Sequence, residues 1–134
     1  MSATLNFIGH ITTPYRTLED CPNNTQFDGP LCQLNLNTEY QDELAGLCEG
    51  QDILILYWLG KPEQTSIAPK LTADTAEFGT FALRTPDRPN PIGTATLPIE
   101  KIETGRITVR GLDCLNSTPL LDIKPAIYLE TLRL

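Results

Sequence analysis

The sequence predicts a mainly β fold, a small closed or strongly bent antiparallel β-barrel with one short packed helix. Most apolar segments are short and are interrupted by Pro, Gly, Asn or Asp, which is typical of strands joined by turns. Eleven prolines and nine glycines in 134 residues argue against a helical bundle. At 14.8 kDa the chain has the size of one ordinary domain, so residues 1–134 are expected to form a single one.

The predicted strands follow the apolar segments in chain order. We expect six or seven of them, drawn from residues 5–12, 31–36, 53–59, 79–84, 92–102, 106–111 and 122–129. The segment 53–59 is apolar at every position, which predicts a central strand buried on both faces. Lys101, Glu103 and Arg106 surround Gly105 and are expected at an exposed hairpin tip.

One helix is predicted from residue 38 onward. Thr38 and Gln41 have the spacing of a capping box, in which the Gln41 side chain reaches back to the Thr38 amide. Tyr40 and Leu44 begin an apolar stripe at helical spacing, and Gly50 is expected to end the helix. The segment is too short to be stable alone, so it must pack on the sheet.

Charge and cysteine usage exclude several classes of protein. Ten basic against seventeen acidic residues give a formal charge of −7, which opposes broad, salt-driven binding to nucleic acid. The four cysteines form no Cys-x-x-Cys pair and there is one histidine, so no metal site is expected. With no signal peptide at the N-terminus and no apolar segment near the roughly 20 residues that span a membrane, a cytoplasmic protein is predicted.

The most unusual segment is the proline loop, residues 84–93, which reads RTPDRPNPIG. Its three prolines fix φ and remove three backbone donors, so it is expected to be a stiff loop. It holds Arg84 and Arg88, whose planar guanidinium groups suit a carboxylate or a phosphate, and it holds Asn90 between two prolines. A ligand-binding loop and a structural loop whose arginines pair with the acidic surface are equally compatible with these residues.

A second dense segment covers residues 111–125 and contains two aspartates among apolar residues. Asp122 and Lys124 point to the same face of a strand and can form an ion pair. A hairpin with one salt bridge and a proton-transfer site both fit this pattern. The segment from 60 to 77 is polar and weakly patterned, which predicts a long loop, either functional or merely a solvated connection.

Three segments together resemble the TrmO family of tRNA methyltransferases. Residues 78–93 (FGTFALRTPDRPNPIG) are similar to the signature of that family, which contains Arg-Pro-Asn-Pro-Ile-Gly. Residues 111–125 resemble its second signature, and Ile8-Gly9 with Thr13-Pro14-Tyr15 resemble its opening strand and turn. The order and spacing also match, so the resemblance covers nearly the whole chain.

The resemblance implies a methyltransferase that uses S-adenosylmethionine (SAM), is built on a small β-barrel and binds its cofactor near a homodimer interface. Family members methylate the exocyclic nitrogen of threonylcarbamoyladenosine beside the anticodon of certain tRNAs. Carried over by position, the implied cofactor-binding residues are Asn24, Lys61, Arg84, Thr94, Leu112, Asp113, Cys114 and Leu115. Arg88 and Asn90 are assigned to the acceptor, and Asp122, with Lys124, to positioning or proton removal.

Several positions depart from the family pattern. Asn23 stands where the family has an arginine, Gly60 where it has a histidine, and Asp87 where histidine or phenylalanine is usual. Each change removes a possible contact to tRNA. Two alternatives therefore stay open, a methyltransferase of the same fold acting on a small molecule and a SAM-binding module without catalysis.

Overall fold

A computed structural model of the chain describes residues 1–60 and 78–127, and these contain one seven-stranded sheet. The strands are β1 (Gly9–Thr12), β2 (Leu31–Leu36), β3 (Asp52–Trp58), β4 (Ile92–Pro98), β5 (Lys101–Glu103), β6 (Arg106–Arg110) and β7 (Thr118–Pro125). They lie in the order β4-β3-β7-β1-β2-β6-β5, and every pairing between them is antiparallel. The predicted mainly β, antiparallel class is confirmed.

Closure into a barrel is not confirmed. Strands β4 and β5 form the two edges of the sheet, and no ladder joins them in the part of the chain that the structure describes.

The core lies on one face of the sheet, along the alternate residues of each strand. In β3, Ile53, Ile55 and Tyr57 are buried, whereas the residues between them are half-buried. Fully buried side chains from the neighbouring strands complete this core: Ile11, Leu34, Leu97, Ile107, Val109 and Leu120. The central position predicted for β3 is right, since it lies between β4 and β7, but full burial of both its faces is wrong.

The predicted strand bounds agree best with the structure where the apolar pattern is regular. Strand β2 has the predicted bounds, and β3 begins and ends one residue before the prediction. The expected hairpin tip is present, because β5 and β6 pair Glu103 with Arg106 around Gly105. The single strand predicted for 92–102 is instead two, β4 and β5, and β7 begins at Thr118 rather than Asp122.

The strand predicted for residues 79–84 is wrong. Residues Thr80–Ala82 form a short 3₁₀ helix, with the amides of Ala82 and Leu83 donating to carbonyls three residues earlier. Phe78 and Phe81 are three residues apart, which matches the period of such a turn rather than that of a strand. Both are exposed, Phe81 by 85%, so this segment has no buried face to pair in the sheet.

The predicted capping box is also wrong. Residues Thr38–Leu44 form a 3₁₀ helix whose N-cap is Asn37, and no side chain caps it. The Gln41 side chain lies against Gly105 of the β5–β6 hairpin instead of returning to Thr38. Packing on the sheet is as predicted, because Leu44 is buried in the core.

Some predictions concern residues outside the described part of the chain. One is the loop expected between 60 and 77, which includes Lys61. The other is the end of the strand predicted for 122–129, whose last two residues lie outside the described ranges. Across residues 1–60 and 78–127, no helix combines the length and the apolar character needed to cross a membrane.

Candidate functional site

Hydrogen bonds join the motif at residues 8–15 to the motif at residues 111–125 at one end of the sheet. The Thr13 hydroxyl donates to the Cys114 carbonyl at 2.8 Å, and the Thr13 amide donates to Asn116 Oδ1 at 3.1 Å. The amide of Asn116 in turn donates to the Tyr15 carbonyl. The loop after β6 is thereby held beside the turn that follows β1.

Gly111 sets the direction in which this loop leaves β6. Its φ is +81°, and a Cβ there would overlap the Gln26 carbonyl, so only glycine fits without strain. The Gly111 carbonyl accepts from the Gln26 amide, and its own amide donates to the Pro30 carbonyl. The segment containing Asn24 is therefore anchored next to the loop that carries Asp113.

Tyr57 connects this loop to the strand that follows the proline loop. Its hydroxyl donates to Asp113 Oδ1 at 2.5 Å and lies 3.5 Å from the Thr94 carbonyl oxygen. The side chain is 2% exposed, whereas Asp113 is half-buried. Burial, with the Asp113 carboxylate beside it, raises the pKa of Tyr57 well above its ordinary value, so the phenol stays protonated and donates.

The two arginines of the proline loop have different surroundings. The exposed Arg84 guanidinium donates to the Thr94 hydroxyl at 3.1 Å, which places it beside the start of β4. Arg88 is half-buried and donates to the carbonyls of Leu83 and Thr85 at 2.8 and 2.9 Å. Arg88 thus stiffens its own loop, and within the described ranges neither arginine forms an ion pair.

Asp122 and Lys124 form the predicted ion pair, with Lys124 Nζ 2.7 Å from Asp122 Oδ2. Hydrogen bonding to Asp122 raises the pKa of Lys124. Asp122 pairs with Leu56 in β3, and Leu56 pairs with Thr94 in β4. Thr94 and Asp122 are therefore in one row across three strands, on the outer face of the sheet and roughly 10 Å apart.

The remaining candidate residues differ in exposure. Leu112 and Cys114 are core residues, while Leu115 is half-buried and its carbonyl accepts from the Thr118 hydroxyl at 2.7 Å. Burial raises the pKa of Cys114 to about 12, which keeps this thiol neutral and makes it a packing residue rather than a nucleophile. Asn24 and Asn90 are exposed.

A cleft of about 490 Å³ lies elsewhere, between the first 3₁₀ helix and the sheet. It is lined by Tyr40, Glu43, Leu44, Leu47, Gln51 and Ile123, among others. Of the candidate residues that the structure describes, Asp122 alone lines it. In the same part of the chain, no three His, Cys, Asp or Glu side chains are grouped as ligands for a metal ion.

Residues 10–131 match the model of the family described as tRNA-methyltransferase O N-terminal domain. The chain belongs to this TrmO family. The resemblance carried by the three sequence motifs is therefore confirmed, and the match includes every candidate residue named above.

Curated relatives in this family carry two kinds of name. A Rhizobium radiobacter protein named "Probable S-adenosyl-L-methionine-binding protein VirR" is 42% identical over 92% of this chain and 70% of its own length. An Archaeoglobus fulgidus protein named "S-adenosyl-L-methionine-binding protein" is 34% identical, over 87% of this chain and 84% of its own length. The human protein named "tRNA (adenine(37)-N6)-methyltransferase" is 31% identical over 87% of this chain but 30% of its own length.

Solved TrmO structures share the fold. A crystal structure of TrmO from Pseudomonas aeruginosa has a TM-score of 0.76 and 27% identity, covering 98% of this chain and 58% of that one. A second TrmO crystal structure has a TM-score of 0.77 and 26% identity, covering 98% and 60%. The present chain thus spans about 60% of the length of these solved TrmO chains. The motifs imply a methyltransferase and the cofactor SAM, and both appear in the names of the relatives.

The structure places Tyr57, which the sequence analysis assigned to the buried segment 53–59, in contact with the candidate site. Tyr57 is buried as expected, yet its hydroxyl contacts Asp113 and the Thr94 backbone. The signal available in the sequence was a single phenol inside the apolar segment 53–59, because a buried tyrosine hydroxyl needs a hydrogen-bond partner.

Proposed function

We propose that this protein is a SAM-dependent methyltransferase that modifies N6 of an adenosine beside the anticodon of tRNA. Threonylcarbamoyladenosine is the proposed acceptor, and the enzyme is proposed to act in the cytoplasm as a homodimer. The proposal rests chiefly on membership in the TrmO family. It is supported by the convergence of four residues from separate parts of the chain, the proline loop, β4, β3 and the loop after β6: Arg84, Thr94, Tyr57 and Asp113.

The residues near Asp113 have the chemistry that SAM requires. Arg84 is an exposed cation suited to the carboxylate of the methionine part. The Asp113 carboxylate can accept from a ribose hydroxyl or an amino group, and half-buried Leu115 offers apolar contact. Leu112 and Cys114 are buried, so they are proposed to contribute through backbone atoms. Asn24 and Lys61 complete the proposed set.

Bound SAM supplies a methyl group on a sulfonium, ready for in-line displacement. The protein must therefore align the acceptor nitrogen with that methyl group and exclude water. The acceptor nitrogen carries a proton, and a base that removes it during transfer contributes roughly 10²–10⁴-fold. Asp122, partnered by Lys124, is the proposed group for positioning or proton removal.

Acceptor recognition is proposed to use the proline loop. Asn90 is exposed between two prolines, so its amide is presented with little freedom to lose on binding. Arg88 is held by two carbonyls of its own loop, which fixes the guanidinium near the carboxylate that a threonyl group would bring.

A homodimer is supported by the outer face of β3. Leu54, Leu56 and Trp58 alternate with the core residues of that strand and are half-buried. An apolar row on the face of a sheet opposite the core is suited to contact with a second copy of the chain.

A SAM-binding protein without a tRNA acceptor is the second candidate function. The net charge of −7 favours it, because a tRNA substrate is strongly anionic. The same charge is compatible with methylation of a small molecule. These candidates share the cofactor and differ in the acceptor.

Calorimetric titration of the purified protein with SAM tests the cofactor. We expect saturable binding by the wild type, at least tenfold weaker binding by Arg84→Ala, and unchanged binding by Arg106→Ala. Arg106 is a matched control because it is half-exposed and pairs with Glu103 in the β5–β6 hairpin. Absence of binding by the folded wild type would refute the cofactor, and equal binding by both variants would misplace the site.

The acceptor is tested by incubating the protein and SAM with tRNA that lacks the methyl group, followed by mass spectrometry of the nucleosides. Appearance of N6-methylated threonylcarbamoyladenosine supports the proposal. SAM binding without methylated tRNA would favour the second candidate.

A further inference from the structure

Tyr57 is an exception within its strand. The other residues of β3 that face the core, Ile53 and Ile55, are aliphatic and fully buried. Tyr57 is almost as buried, but its hydroxyl reaches the end of the sheet and donates to Asp113 Oδ1. A phenylalanine would fill the same space, so the hydroxyl has a role that packing does not explain.

Gly93 leaves room for the Tyr57 ring to point towards the end of the sheet. In the antiparallel register Gly93 is directly opposite Tyr57. A Cβ on Gly93 would be 2.8 Å from ring atom Cδ2 and 3.0 Å from Cζ, closer than carbon atoms pack. The absence of a side chain at Gly93 therefore lets the ring lie flat against β4. This gives a physical reason for the glycine that ends the proline-loop motif.

Asp113, in contrast, is in a loop without the regular pairing of a strand. The bonds of its neighbours secure the backbone, since the Cys114 carbonyl accepts from Thr13 and the Asp113 carbonyl accepts from Cys21 Sγ at 3.1 Å. These bonds leave the carboxylate free to rotate. The bond from Tyr57 to Oδ1 restricts that rotation, and among residues 1–60 and 78–127 no donor bonds to Oδ2.

We propose that Tyr57 is a positioning residue of the cofactor site, seated on Gly93 and acting through Asp113. Its hydroxyl fixes one oxygen of the Asp113 carboxylate, so that the other accepts from SAM in one orientation. This inference rests on the proposed function, because it requires SAM to bind next to Asp113. Tyr57 itself does not touch the reacting atoms.

The hydrogen bond between the Tyr57 phenol and the Asp113 carboxylate is chemically suited to this positioning role. A neutral phenol that donates to a carboxylate forms a short, charge-assisted bond, and the 2.5 Å separation is in that range. A phenol is protonated at neutral pH, and burial raises the pKa of Tyr57 further, so the hydroxyl remains a donor well into the alkaline range. Fixing an acceptor before binding reduces the rotational freedom that the complex must lose.

A double-mutant cycle tests whether Tyr57 acts through Asp113. SAM dissociation constants are measured by calorimetry for the wild type, Tyr57→Phe, Asp113→Ala and the double variant. We expect about tenfold weaker binding for Tyr57→Phe in the wild-type background. In the Asp113→Ala background the same change should alter the dissociation constant by less than twofold, because its target is gone.

Tyr40→Phe is the matched control, since Tyr40 lines the cleft by the first 3₁₀ helix. It should bind SAM like the wild type. Thermal melting of each variant identifies any that fail to fold, and Asp113→Leu, which likewise has no acceptor for the Tyr57 hydroxyl, replaces Asp113→Ala if the latter is unfolded.

Two results would overturn the inference while leaving the proposed function intact. One is wild-type affinity in Tyr57→Phe, and the other is an equal loss from Tyr57→Phe in both backgrounds, which would indicate a general structural role. If the wild type itself does not bind SAM, the proposed function and the inference both fail, and the first titration reveals this.

Discussion

Replacing Gly93 with alanine should destabilise the protein, because the added methyl group has no room beside Tyr57. The new Cβ would be 2.8 Å from Cδ2 and 3.0 Å from Cζ of a ring that is 2% exposed. Carbon atoms pack at about 3.5–4.0 Å, so the ring must retreat into a filled core. That movement also pulls the hydroxyl away from Asp113.

The size of the effect follows from three contributions. Overpacking of a core costs about 1–3 kcal/mol, and loss of the bond to a charged partner costs about 1–3 kcal/mol. Alanine restricts the unfolded chain and returns about 0.4–1 kcal/mol. We expect the free energy of unfolding to fall by about 1–5 kcal/mol, and a loss near the middle of that range lowers Tm by roughly 10 °C in a chain of this size.

Urea denaturation followed by circular dichroism and by fluorescence of Trp58, the one tryptophan of the chain, measures this change. Gly79→Ala is the control, because its φ is −73° and no atom of the residues that the structure describes lies within 4 Å of the added Cβ. It should leave stability unchanged or raise it slightly. The double variant Gly93→Ala/Tyr57→Leu should regain at least 1 kcal/mol relative to the sum of the single changes, since leucine removes the clashing ring atoms.

Two results would refute the reasoning. Gly93→Ala with wild-type stability would mean that β4 and the ring separate at little cost. Strict additivity in the double variant would mean that the loss arises somewhere other than the contact between Gly93 and Tyr57.

Two further predictions concern pH and catalysis. Folded Cys114 and Tyr57 keep protons that the unfolded chain releases above pH 9 and 10, respectively, since burial raises the pKa of both. Stability should therefore decline with rising pH by about 1.4 kcal/mol per pH unit for each group. Between pH 8 and 11, the urea midpoint of Cys114→Ala should fall less steeply with pH than that of the wild type. An equal slope in the two proteins would contradict the assignment. Asp122→Asn should slow methyl transfer by roughly 10²–10⁴-fold with little change in SAM affinity or Tm, because an exposed ion pair contributes under about 1 kcal/mol. Glu103→Gln, in another exposed ion pair, is its control, and equal activity of the two variants would exclude Asp122 as the base.

The regular strands were predictable from local pattern. Strand β2 alternates buried and partly exposed residues, and β3 is apolar at every position after Asp52, so period and length sufficed. The segment 79–84 and the cap of the helix after Asn37 were mispredicted for different reasons. Gln41 packs on Gly105 of a distant hairpin instead of returning to Thr38, so tertiary packing overrode a local signal. Phe78 and Phe81 have no buried face to pack on, so the segment 79–84 does not join the sheet.

The sequence by itself determined the family, through the motifs at 84–93 and 111–125, and the mainly β class, through short apolar segments separated by turn residues. It also predicted a set of candidate site residues. Only the tertiary structure decided which of these residues meet. Register placed Tyr57 opposite Gly93, and the loop after Gly111 returned Asp113 to the end of β3. A contact between residues 56 positions apart depends on strand pairing and loop direction, which no local pattern encodes. The role proposed for Tyr57, which looks like a core residue in the sequence, therefore became visible only once the structure showed that its hydroxyl contacts Asp113.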